Sequence, residues 1–313
     1  MMRYLSTFTG GGVLDVGLEE LGATCVGYSE IKESSCRIYD RAYPGRRNFG
    51  DITEIAPGDL PDFDLMTGGF PCQAFSLAGK REGFKDRRGQ MIFYLYDILV
   101  AKKPFYCVLE NVKGIVSHDK GRTFRNVVNL LAHAGYFVRV IQLNASHYGS
   151  AQNRERVFFL CSREDFPKKR PEKGDDSKRF RDFREAVPSD PVWIDEGNDR
   201  VFADTVRKAA VGAGTGHIHV LGPTYEVVGG YDRVGTLLTG IAGGGPQRAL
   251  AKVTRQNGVF RFLTEIEGER LQGLPDGFTA GESRKDRWFL IGNAVHADVS
   301  RYLFQTYLKG VWW

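Results

Sequence analysis

The chain lacks any CxxC pair. Its cysteines, at positions 25, 36, 72, 107 and 161, are odd in number. That points away from a disulfide framework and from a cysteine-held zinc site. No long apolar stretch opens the chain at MMRYLSTF, so neither a signal peptide nor a membrane span is expected. Excess charge is also scarce. The formal net charge is +5, mildly basic, which a nucleic-acid partner tolerates but does not require. There is no internal repeat and no low-complexity tract. Two phosphate-binding signatures are missing as well. The glycines of LSTFTGGGVLDVGLEELG (5–22) begin a GxGxxG pattern at Gly10 and Gly12, but position 15 is Asp, and no GK[ST] follows. A nicotinamide enzyme and a P-loop enzyme are thereby disfavoured.

The 313 residues are 42% hydrophobic and 26% charged, ordinary for a globular chain with a sizeable core. In the first half, short apolar runs at 4–8, 23–29, 63–68, 105–111, 136–144 and 156–162 read as strands. Amphipathic runs near 14–21, 32–42, 90–102 and 121–134 read as helices between them. Strand then helix, repeated, predicts an α/β fold with a parallel sheet covered on both faces. Such sheets place ligands beyond the carboxyl ends of their strands.

After Ser162 the chain becomes charged, then glycine-rich from about 190 to 260. A small, loop-rich second domain is expected there. Helices return late. Thr264 and Glu267 have capping-box spacing, and 294–309 forms an amphipathic run that could pack back on the first domain.

The unusual residues sit at strand ends. Glu30 ends the second strand, and Asp51 in NFGDI ends an expected third. With the glycine turn they describe a pocket for an adenosine-bearing ligand, S-adenosylmethionine being one. Cys72, in GGFPCQAFSLAG, follows a buried strand and opens a glycine-containing loop. A free cysteine is most often a small buried hydrophobe, but this position suits a nucleophile. Glu110 lies at the rim of another strand, where a charge is costly unless used or exposed. Gln152, Arg154 and Arg156 stand just before a further strand, the two arginines at alternate positions that share a face.

Taken in order, FTGGG (8–12), SE (29–30), GDI (50–52), GGFPCQAFSLAG (68–79), ENV (110–112), QNRER (152–156), RVGTLLTG (233–240), ERLQGLPDGF (269–278) and GNAV (292–295) resemble the blocks of DNA cytosine methyltransferases that act on carbon 5. The resemblance spans nearly the whole chain except about 163–232. It implies a Rossmann-like S-adenosylmethionine-dependent methyltransferase sheet. Residues 1–162 and 287–313 would form the catalytic domain, and 163–286 a small domain with the target-recognition region at about 163–232. It implies methyl transfer to a flipped-out cytosine in duplex DNA, through a covalent Cys72 adduct, with S-adenosylhomocysteine as product.

Carried over residue by residue, Glu110 would act at ring nitrogen 3, Arg154 at the base carbonyl oxygen, and Arg156 in support. Phe8, Gly10, Gly12, Glu30, Asp51, Ile52, Pro71, Asn293 and Val295 would line the cofactor pocket. Gln73, Ser76 and Gln152, with the basic Lys80, Arg81, Lys85, Arg87 and Arg88 of a lid after Cys72, would meet DNA. Lys168, Lys169, Arg170, Lys178, Arg179 and Arg181 are further phosphate candidates. Val13 stands where the family has glycine, and Ser6 where some members have Asp. No metal is expected. A monomer in the cytoplasm of a bacterium or phage host is, with a cognate restriction endonuclease in the same system but no stable complex. The alternatives are a tRNA-modifying enzyme with the same motifs and a catalytically dead DNA-binding relative, which the presence of Cys72, Glu110 and Arg154 disfavours.

Overall fold

The computed structural model describes residues 1–71, 91–165, 169–189, 191, 217–218, 225–227, 233–237, 251–257 and 259–308. The chain divides into two compact units. One holds 1–143, 155–172 and 299–313, and the other 144–154 and 173–298. Strands and helices are numbered in chain order across both.

The first unit is built on six strands: β1 (Arg3–Thr7), β2 (Thr24–Ser29), β3 (Leu65–Gly69), β4 (Tyr106–Val112), β5 (Phe137–Asn144) and β7 (Glu155–Ser162), in the order β2-β1-β3-β4-β7-β5. β3, β4 and β7 are buried along almost their whole length, the mark of strands covered on both faces. Helices α1 (Val16–Glu20), α2 (Glu33–Ala42), α3 (Met91–Lys102) and α4 (Arg122–His133) connect them. α4 buries Val127, Leu130 and Leu131, and α3 buries Ile92, Leu95, Ile98 and Leu99. This is the i, i+3, i+4 spacing of a helix with one apolar face. They share a core with Leu5, Met66, Cys107, Leu109 and Phe159 from the sheet.

The expected parallel sheet holds for β1 with β2 and β3, and for β3 with β4. It fails at β7, which runs antiparallel to β4. Because of that reversal, β7 starts at the edge where β4 ends. The strand expected before Asp51 is also absent, reduced to a single bridge between Tyr28 and Asn48. Only two residues, Phe49 and Gly50, separate that bridge from Asp51, and the segment turns there, with Gly50 at φ +77°.

In the second unit, β6 (Gln152–Asn153) pairs in parallel with β10 (Val234–Gly235). A four-stranded sheet runs β12-β11-β9-β8, from β8 (His217–Ile218), β9 (Tyr225–Val227), β11 (Ala251–Gln256) and β12 (Val259–Phe262). The core is Ala151, Phe180, Val234, Leu237, Leu263, Leu271, Trp288 and Ile291. α5 (Glu265–Leu271) opens on the expected capping box, with both Thr264 and Glu267 engaged. α6 (Arg284–Asn293) was not expected from the sequence. α7 (Ala297–Tyr307) is the late amphipathic helix. In the first unit its Ser300 Oγ donates to Leu14 O at 2.6 Å.

Candidate active site

The carboxyl ends of β1 and β2 gather most of the expected cofactor residues. The chain leaves β1 through Phe8, whose φ of +48° is uncommon for an aromatic residue, and Gly10 at +56°. Strain of this kind persists only where surrounding structure enforces it. Two residues on from Phe8, the Glu30 carboxylate holds Gly10. Its Oε2 accepts from Gly10 N at 2.9 Å, and Oε1 accepts from Ile31 N and Lys32 N at 2.9 and 2.8 Å. The turn holding Asp51 is laced to the same end. Ser29 Oγ donates to Gly50 O at 2.7 Å, and Asn48 Nδ2 donates to Glu30 O at 3.0 Å. Asp51 Oδ1 accepts from Thr53 N at 2.9 Å, and Ile52 is buried in the core. Val13 is likewise buried. Its backbone φ is not positive, so no glycine is needed there.

The ends of β3, β4 and β7 assemble a second group on the same side of the sheet. Gly69 pairs in register with Glu110, and Val112 with Arg156. Glu110 and Val112 share a face of β4, so Arg156 reaches diagonally to Glu110. Arg156 Nε and Glu110 Oε1 lie 2.8 Å apart, both side chains about nine-tenths buried. Burial pulls the Arg156 guanidinium below its ordinary value, and the Glu110 charge works against that. A Cβ on Gly69 would lie 3.1 Å from Glu110 Oε2, so a bare backbone at 69 gives the carboxyl its place. Next along, Asn111 Nδ2 donates to Phe70 O at 2.9 Å in a buried bond. That bond fixes the chain two residues ahead of Cys72. Pro71 is exposed. Cys72, Gln73, Ser76, Lys80, Arg81, Lys85, Arg87 and Arg88 lie outside the described residues, as does Lys168.

Other expected site residues belong to the second unit and are occupied there. Arg154, 1% exposed, donates to Leu237 O at 3.1 Å, Gly292 O at 2.8 Å and Ala294 O at 2.5 Å. Gln152 donates to Leu271 O at 3.1 Å and accepts from Leu237 N at 3.0 Å. Asn293 is exposed and Val295 buried. The two arginines of QNRER therefore do different work, and the one paired with Glu110 is Arg156. Among the phosphate candidates, Arg179 donates to the carbonyls of Asp176, Ser177 and Lys178 in its own loop, while Lys169, Arg170 and Lys178 are exposed.

The family model for C-5 cytosine-specific DNA methylase matches residues 2–309. The chain belongs to that family. As a C-5 cytosine DNA methylase of restriction-modification type, it is 34% identical to the Type II methyltransferase M.NgoBI of Neisseria gonorrhoeae, over 96% of this chain and 90% of that one. It is 31% identical to the Type II methyltransferase M.HhaI of Haemophilus parahaemolyticus, over 96% and 93%. In fold it is similar to the Dnmt2 methyltransferase of S. pombe, with TM-score 0.75, 18% identity and all of both chains covered. It is also similar to the methyltransferase EhMeth of Entamoeba histolytica, with TM-score 0.74 and 18% identity over 97% of both chains. Among the described residues, no helix is long and apolar enough to cross a membrane, and no cluster of His, Cys, Asp and Glu could hold a metal.

Membership of a methylase family implies S-adenosylmethionine as donor, and the turn at 8–12 fits it. A Cβ on Gly10 would meet no heavy atom within 4 Å, so a ligand can lie against bare backbone. Glu30 takes three N–H donors, and a carboxylate has about four lone-pair sites, which leaves it able to take a ribose hydroxyl. Asn111, inside ENV, and Gly69 have roles in the fold that their sequence motifs do not announce. A polar side chain beside a buried strand end was the available signal for the first. The second needs the strand register.

Proposed function

We propose that this methylase transfers the methyl group of S-adenosylmethionine to carbon 5 of a cytosine flipped out of duplex DNA, through a transient bond from Cys72 Sγ to carbon 6. Carbon 5 is a poor nucleophile in the aromatic ring. Thiolate addition at carbon 6 makes it enamine-like, which splits one hard step into two easier ones. The bond from sulfur to carbon 6 forms as carbon 5 takes the methyl group. Loss of the carbon-5 proton then expels the thiolate. Extrusion of the base costs a few kcal/mol and is required because the ring carbons are unreachable in a stacked duplex.

The Glu110–Arg156 pair supports this reading most strongly. It places a carboxyl and a guanidinium at the strand-end edge to which Phe70 and Asn111 tie the chain entering Cys72. In this reading Glu110 hydrogen-bonds ring nitrogen 3, where charge develops on addition. Arg156, rather than Arg154, holds that carboxyl and faces the base carbonyl. The three carbonyl bonds of Arg154 favour a structural role within the second unit. The small domain would read the target sequence. The chain would act as a monomer beside a cognate endonuclease, with the basic residues after Cys72 on DNA phosphates.

Labelled methyl transfer to duplex DNA and to tRNA tests the substrate, and bisulfite sequencing of DNA from an expressing host tests the position. Label in DNA alone, at carbon 5 of cytosine in one short sequence, is expected. Transfer to tRNA instead would overturn the reading.

A further inference from the structure

Behind the 8–12 turn lies a buried polar cluster that the methyl-transfer scheme does not use. Asp15, 1% exposed, stands at the N-cap of α1, and its N–H donates to Gly12 O at 3.0 Å. Its Oδ1 accepts from Ser6 Oγ on β1 at 2.9 Å and from Thr67 Oγ1 on β3 at 3.4 Å. Its Oδ2 accepts from Tyr39 Oη on α2 at 3.3 Å. A Cβ on Gly12 would fall 2.8 Å from the Tyr39 ring and 2.5 Å from the Tyr43 ring. Tyr43 Oη donates to Gly12 O at 3.1 Å. One carboxyl thus ties two strands to the helix whose rings pack against the turn, and a change in its hydrogen bonding is felt at Gly12.

The groups around Asp15 are Glu19 on α1, Arg46 after α2, the phenols of Tyr4, Tyr39 and Tyr43, and the Cys25 thiol on β2. Arg46 Nη2 is 2.5 Å from Glu19 Oε2, and its Nη1 donates to Tyr4 and Tyr39 Oη at 3.1 Å each. Among the described residues, the cation that acts on Asp15 is Arg46, paired with Glu19, while Arg301, near Tyr43, is paired with Glu20 at 2.8 Å. Burial dominates at Asp15 and pushes its carboxyl up to about 7, against the Ser6 hydrogen bond and the Arg46 charge. A bound cation favours the ionised form of a neighbouring acid, and coupling between two binding equilibria is reciprocal.

We propose that Asp15 is a positioning residue for the methyl donor, its carboxyl releasing a proton to solvent as a sulfonium cation docks on the turn it braces. The proposal rests on the reading of that turn as the donor's site. The Ser6, Thr67 and Tyr39 hydroxyls are the donors that hold the carboxylate so formed. S-adenosylhomocysteine lacks the sulfonium charge, so ionised Asp15 favours donor over spent product.

The test is calorimetric titration of the full chain with S-adenosylmethionine and with S-adenosylhomocysteine, from pH 6 to pH 8, in buffers of different ionisation heat. The sulfonium charge makes the donor's α-amino group more acidic than the product's, so the part of the pH dependence that belongs to Asp15 is read as the difference between the parent and the Asp15→Asn protein. Donor binding should release a fraction of a proton near neutrality, and the ratio should rise about fivefold to tenfold across the range. Asp15→Asn should flatten the profile. Ser6→Ala keeps the acid but removes a bond that favours its ionised form, and should move the midpoint to higher pH. A ratio independent of pH in the parent protein would overturn the proposal, as would Asp15→Asn or Ser6→Ala profiles that superimpose on the parent. Failure of both ligands to bind at any pH would count against the donor site itself.

Discussion

Each unit carries a buried glutamate–arginine pair, and the two pairs are built differently. In the second unit Glu267 and Arg261 are fully enclosed and doubly bonded, at 2.6 and 2.8 Å, and the same carboxylate accepts from Thr264 N and Glu185 N at 3.0 and 3.1 Å. It closes a helix cap. In the first unit Glu110 and Arg156 approach to 2.8 Å and keep about a tenth of their side-chain surface exposed, at the carboxyl edge of the sheet. A fully enclosed pair can only hold structure together. A pair at a strand-end edge in an α/β sheet sits where ligands bind.

Substitution separates the two. Glu267→Gln leaves Arg261 buried without its counter-charge, and loss of one partner of a buried pair costs about 3–5 kcal/mol. A denaturant midpoint should fall accordingly. Glu110→Gln should instead lower the methyl-transfer rate by about 10²–10³-fold, the range for a lost group that stabilises developing charge, with DNA affinity changed far less. Equal losses of rate and affinity in Glu110→Gln would make that pair structural too. Gly69→Ala is gentler. The new Cβ would lie 3.1 Å from Glu110 Oε2 and displace it by a few tenths of an ångström. A rate loss of about tenfold is expected, within the range for small misplacements of reacting groups, with the thermal midpoint nearly unchanged.

Much of this was legible in the sequence. Apolar runs ending in Glu30 and Glu110 marked strand ends because a charge there needs a reason to be near a core. The direction of β7 was not legible, since a run such as RVFFLCS reads alike whichever way it lies in a sheet. That direction decides the arrangement, because an antiparallel β7 begins where β4 ends. The division of labour within QNRER was hidden for a related reason. Alternate spacing predicts a shared face only inside a strand, and Arg154 lies between β6 and β7. Asp51 misled similarly, lying in a turn that Ser29 of β2 ties at Gly50 O and that its own carboxylate closes at Thr53 N, rather than in a strand ladder. The Asp15 cluster joins residues of β1, β3 and α2 far apart in sequence, which only the fold brings together.

The central claim is a sulfur–carbon bond between Cys72 and the target base. Duplex DNA carrying 5-fluorocytosine at the methylated position tests it, because fluorine cannot leave as the carbon-5 proton does, and the adduct should persist. After incubation with S-adenosylmethionine and proteolysis, mass spectrometry should find the peptide containing Cys72 joined to the methylated fluoropyrimidine, and Cys72→Ser should yield none. Methyl transfer by Cys72→Ser at the parent rate, or an adduct on another residue, would contradict the account.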